Sequence, residues 1–172
     1  ELFRVQGYHP DWATAPAPLL YVAANGPQML ALAATAGDGV MLSDISRPHL
    51  AATLATIRTA LGSRIPAAGP FRIHNLLAWH VKPDRAAAYA EARKKLWVRG
   101  LWERSRLEPF IAPADCDLVA RNLPGLAAAY QRGEDPASVV PAKILDALAD
   151  GLTLTGTPGS LDRLVEELLA FR

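Results

Sequence analysis

The chain has 172 residues, of which 51% are hydrophobic and 20% charged, with 18 basic against 17 acidic side chains and a net charge of +1. Such a balance sets up no field to gather polyanions, so nucleic acid is not expected as a partner. No apolar run reaches the roughly 18 residues that crossing a bilayer takes, and the single cysteine, Cys116, cannot form an internal disulfide, so no membrane is expected and a cytoplasmic setting is.

The length suits one domain, expected over residues 1–172, and falls short of the roughly 250 residues of a complete (β/α)₈ barrel. Leu2-Phe3-Arg4-Val5 alternates and predicts a short strand, followed by an irregular stretch through His9 and the Ala-Pro repeats to Pro18.

Leu19-Leu20-Tyr21-Val22-Ala23-Ala24 is a continuous apolar run. Such runs mark parallel strands covered on both faces. The chain then turns at Asn25-Gly26-Pro27 and continues with helical spacing through Met29, Leu30, Leu32 and Ala33 before Gly37-Asp38-Gly39-Val40-Met41-Leu42-Ser43. This reads as one βαβ unit, since the helical period rules out the hairpin that Asn25-Gly26 alone would suggest. Pro27 suits a first helical turn, where a missing N–H costs nothing. The turn at Gly26 is either an anion site on the free amides there or a tight connection and no more.

Asp44 to Pro48 reads as a loop, and Leu50, Leu54, Ile57 and Leu61 as the buried stripe of a covering helix. Phe71 to Val81 is rich in strand formers and predicts one strand. A helix follows from Lys82-Pro83-Asp84 to about Leu101, with Ala86, Tyr89, Ala90, Leu96 and Trp97 inward and Arg93-Lys94-Lys95 on a solvated face. Two helical stretches are expected at Ala114 to Gln131, broken at Leu123-Pro124-Gly125, and at Pro136 to Asp150, ended by Gly151. Leu152 to Thr155 is a short extended piece, and Thr157-Pro158 caps a last helix with Leu161, Leu164, Val165 and Leu168 inward. Strands alternating with helices predict an α/β fold with right-handed crossovers.

Few residues stand out as chemistry. His80 lies near the end of its strand, where it either faces a pocket as a proton carrier or packs under a helix. Arg72, His74 and His80 share strand parity and are expected on one face. Asp38 is placed to cap a turn, Asp44 is better placed for chemistry than Asp38 but as a loop carboxylate is expected to be solvated, and Trp79, Trp97 and Trp102 read as core. No metal-ligand motif occurs, so no metal is expected.

Tyr21-Val22-Ala23-Ala24-Asn25-Gly26-Pro27-Gln28-Met29-Leu30, then Ala36-Gly37-Asp38-Gly39-Val40-Met41-Leu42-Ser43, and later Thr155-Gly156-Thr157-Pro158 before an amphipathic helix, resemble the luciferase-like monooxygenase superfamily. The branch they look most like uses the deazaflavin coenzyme F-420, as methylenetetrahydromethanopterin reductase does. The resemblance implies a partial (β/α)₈ TIM-type barrel, its C-terminal part, with Leu19–Ala24, Val40–Ser43 and Phe71–Val81 as the fifth, sixth and seventh strands. It implies an oxidoreductase moving hydride between coenzyme F-420 and a small-molecule substrate. An FMN-dependent monooxygenase and a non-catalytic, flavin-binding or structural remnant are the alternatives.

Carried over by position, Asn25, Gly26, Gln28 and Met29 would lie against the ribityl-phosphate part of the cofactor. Ser43 would contact the cofactor edge or a phosphorylated substrate. The family's first four strands, with the ring pocket and usually the catalytic acid or base, have no counterpart here, and neither does a strand after Phe171-Arg172. Three parallel strands with open edges are expected either to be part of a longer chain or to pair with a second copy, and a homo-oligomer is expected.

Overall fold

The computed structural model describes residues 18–64, 69–99 and 102–171. The expected strand at Leu2–Val5, and His9, lie outside them.

The predicted βαβ unit forms. Strand β1 (Tyr21–Ala23), helix α1 (Pro27–Ala36) and strand β2 (Gly39–Ser43) follow in order, and β1 pairs with β2 in parallel, Val22 opposite Val40. Helix α2 (Arg47–Leu61) returns the chain to β3 (Arg72–Leu76), parallel to β2 on its other side. Val40, Leu42, Ile45, Ala33 and Ile57 are fully buried between this sheet and its two helices. Burying each larger aliphatic side chain contributes about 2 kcal/mol.

The expectation that β1 is covered on both faces is overturned. Leu19 and Leu20 are more than half exposed, and among the described residues β1 pairs with β2 alone. Met29 and Leu32 on α1, and Met41 on β2, also stand out into solvent.

The run Phe71 to Val81, expected as one strand, is two. β3 ends at Leu76, and β4 (Trp79–Val81) belongs to a second sheet with β5 (Leu154–Gly156), again parallel. Backbone hydrogen bonding explains the break. Up to Leu76 the chain serves β2, through Asp44 N donating to Leu76 O at 2.8 Å, and from Ala78 it serves β5, through Leu154 N donating to Ala78 O at 2.8 Å. Leu77 is where the strand changes partner.

Helix α3 (Arg85–Leu96) starts where Asp84 accepts the Ala87 amide at 2.8 Å, an N-cap. It buries Ala88, Tyr89, Ala92 and Leu96, one step round from the expected stripe, so Ala86 is exposed. Arg93 does not sit on a solvated face: its guanidinium bridges Asp135 and Asp146, each at 2.8 Å. Short α4 (Arg104–Leu107), α5 (Pro113–Arg121), α6 (Leu123–Arg132) and α7 (Ala142–Leu152) enclose the larger core around Leu107, Val119, Leu126, Val140, Leu145 and Leu148.

The break between α5 and α6 falls as expected at Leu123-Pro124. Pro136–Ser138 makes a separate tight turn, so α7 begins later than expected and runs through Gly151. In α8 (Leu161–Leu169) only Leu164 is fully buried; Leu161, Val165 and Leu168, expected inward, are about two-fifths exposed. Among the described residues, no helix is long and apolar enough to cross a membrane.

Candidate functional site

The carboxyl ends of β1, β2 and β3 meet at one edge, and a hydrogen-bonded cluster fills it. Asn25, just beyond β1, donates from Nδ2 to the Ser43 carbonyl at 2.8 Å and accepts the Ser43 amide on Oδ1 at 2.9 Å. The half-buried side chain thus takes the place of one more residue in the ladder. The Ser43 hydroxyl donates to Asp44 Oδ2 at 3.0 Å.

Asp44, expected as a solvated loop carboxylate, is 1% exposed. Its backbone lies at φ 54°, in the left-handed region that aspartate tolerates better than most residues. That twist turns the carboxylate inward. Oδ1 accepts the Ala78 amide at 3.3 Å, and Oδ2 accepts from Arg99 Nη1 at 3.2 Å. A buried carboxylate needs such partners, because an ion left without them would cost several kcal/mol, on the order of the desolvation penalty. Asn75 repeats the device of Asn25 one strand over, with Nδ2 on the Ile45 carbonyl at 2.8 Å and Oδ1 on the Ile45 amide at 3.2 Å.

Beside this cluster the turn into α1 is open. Gly26 is extended at φ −88°, ψ 153°, and a Cβ built on it would meet nothing within 4 Å. The first helical hydrogen bond runs from Leu30 N to Gly26 O at 2.9 Å. Among the described residues the amides of Gln28 and Met29 meet no backbone acceptor, and no side chain caps them. Gln28 and Met29 thus carry two of the unaccepted N–H groups of this helix start, with no acidic residue in the first turn.

Of the sequence-selected residues, the structure groups Asn25, Gly26, Gln28, Met29 and Ser43 at this edge. His80 lies apart. It is 5% exposed beneath α3, its Nδ1 at 3.0 Å from Glu91 Oε1, and its buried Nε2 has no partner among the described residues. Glu91 also holds Lys82 at 2.7 Å, and Lys82 first, then His80, keeps its carboxyl below the usual range.

The expected common face of Arg72, His74 and His80 does not form. Arg72 and His74 are exposed around Tyr21, whose ring lies 5.3 Å from that of His74, while the break at Leu77 carries His80 elsewhere. Asp38, expected to cap a turn, instead accepts the Leu20 amide from the neighbouring strand start, 18 residues back, at 2.7 Å. Trp97 and Trp102 pack against the larger core, but Trp79 is 44% exposed.

Sequence reasoning missed Asn75 and Arg99. Asn75 left a signal, an asparagine inside a run of strand formers. Arg99, 55 residues from Asp44 along the chain, left none. Among the described residues no His, Cys, Asp and Glu cluster could hold a metal ion.

A family described as luciferase-like monooxygenase matches residues 3–172. Among solved structures, the coenzyme F-420-dependent tetrahydromethanopterin reductase from Methanopyrus kandleri matches with a TM-score of 0.62 at 15% identity, over 89% of this chain and 42% of that one. The likeness is one of fold, and the chain spans less than half of that protein's length. The parallel strands and their helices are thus part of a TIM-type barrel. No curated protein matches by sequence.

Proposed function

This chain belongs to the luciferase-like monooxygenase family, and we propose that its Asn25–Met29 turn holds the phosphate-bearing end of coenzyme F-420 in an oxidoreductase acting on a small organic substrate. The observation that carries this reading is the open turn at Gly26, with the unaccepted amides of Gln28 and Met29 beside it. A phosphate fits such a place, since it supplies the acceptors those amides lack and sits at the positive end of a helix. When bound, coenzyme F-420 supplies the hydride chemistry.

The chain's own residues do the holding. Asn25 spends both ends of its amide on Ser43, so it sets the position of the Ser43 hydroxyl. Asp44 accepts that hydroxyl's proton and fixes which way its lone pairs face. Ser43 is then the side chain from β2 that reaches a cofactor edge.

Titration with coenzyme F-420 and, separately, with FMN tests the reading by fluorescence. Coenzyme F-420 is expected to bind and Gly26→Val to abolish the binding. Selective FMN binding would replace the deazaflavin reading with that of an FMN-dependent monooxygenase. Binding of neither would leave a structural module.

A further inference from the structure

A cavity of about 510 Å³ opens between the start of α2, the break at Leu77 and the ends of α7 and α8. Its volume falls in the range of small-molecule sites. Its walls are mainly apolar: Phe110, Phe171, Leu77, Leu152 and Leu154 supply most of them. Gly151 is what lets the Phe110 ring in, because a Cβ there would overlap the ring itself. The aromatic wall therefore lies directly against the α7 backbone.

Three charged side chains reach this cavity: Arg47, Asp150 and Glu167. Asp150 accepts the Tyr89 hydroxyl, and Glu167 is paired with Arg163. Arg47 has no carboxylate partner among the described residues. An apolar, aromatic-walled space with one unanswered cation at its edge is complementary to a flat organic body bearing one negative charge. A second negative charge would meet Asp150 or Glu167.

We propose that this cavity binds a small organic monoanion with an aromatic body, its charge on Arg47 and its rings against Phe110 and Phe171. The site does not rest on the cofactor reading: no residue of the Asn25–Met29 turn lines the cavity, which begins at Ser46, three residues past the carboxyl end of β2. Its test is direct binding to the 172-residue chain of anilinonaphthalene sulfonate and of phenylnaphthylamine, a similar body without the sulfonate.

Both probes are expected to bind saturably at one site. Arg47→Ala should weaken the sulfonate about tenfold, the weight of one charge-assisted contact, and leave the neutral probe unchanged. Phe171→Ala should weaken both. Arg47→Gln serves as a second variant should the alanine form lose its urea midpoint. The proposal falls if neither probe saturates, if Arg47→Ala and Arg47→Gln leave the sulfonate unchanged, or if they weaken both probes equally. Because coenzyme F-420 and FMN are titrated separately, either site can fail while the other stands.

Discussion

Asn25 holds the main chain of Ser43 at both ends of one peptide pair, donating to its carbonyl at 2.8 Å and accepting its amide at 2.9 Å. The side chain extends the β1–β2 ladder beyond β1's last residue and fixes where the open turn begins. Replacing it by leucine leaves two main-chain groups unpaired in a half-buried place. Asn25→Leu is expected to cost about 2 kcal/mol, read as a shift of the urea midpoint with unchanged slope. It should also weaken cofactor binding, whereas an unchanged midpoint would mean that water replaces the amide at no cost.

Asp44 and Arg99 make the second test. Removing either leaves a charge without its partner in a mostly buried place, a loss on the order of 3 kcal/mol for Asp44→Ala. Removing both should cost less than the sum of the single losses, by about 1 to 3 kcal/mol of coupling. Additive losses in this double-mutant cycle would show that the 3.2 Å pair contributes little beyond packing.

A third prediction concerns acid. The Asp135 carboxyl is held below its ordinary range, first by the Arg93 guanidinium and also by the Ala137 amide. An unfolded aspartate titrates near about 3.9. A carboxyl with a lowered folded value contributes stability that is whole above the unfolded value and is lost as pH falls through the folded one. Asp135→Asn should therefore lower stability at neutral pH and flatten its decline below about pH 4. Urea midpoints across that range check it, and a decline as steep as the wild type's would remove Asp135 from the account.

The exposed apolar surfaces predict association. Among the described residues β1 pairs on one side only, beside the exposed Leu19 and Leu20, and α8 leaves Leu161, Val165 and Leu168 about two-fifths exposed. Light scattering of this chain is expected to give a mass above 18.4 kDa, and Val165→Lys with Leu168→Lys to lower it. A stable monomer would count against a homo-oligomer.

The first half of the fold was legible because it obeys local rules. The apolar run before Asn25, the helical spacing after Pro27 and the second run to Ser43 each carry their own period, and parallel pairing follows from a helix between strands. The break at Leu77 was not legible. Nothing in Phe71 to Val81 says that the chain trades β2 for β5, since β5 lies more than 70 residues further on. Long-range ion pairs failed for the same reason: Arg93 looks like any arginine in a basic run until Asp135 and Asp146 arrive beside it. The site was half legible. Asn25, Gly26 and Ser43 sit in a motif, while Arg99 and Ala78 are drawn in only by the inward turn of Asp44.

That inward turn also bears on how the molecule opens. The sheet packs its own core around Val40, Leu42 and Ile57, and the later helices pack another around Leu126, Leu145 and Leu148. Asp44 directly follows β2 and reaches past the joint at Leu77 to Ala78, just before β4, and to Arg99, beyond α3. Native-state hydrogen exchange is expected to find the two cores as separate cooperative units, with Asp44→Ala loosening the coupling between them.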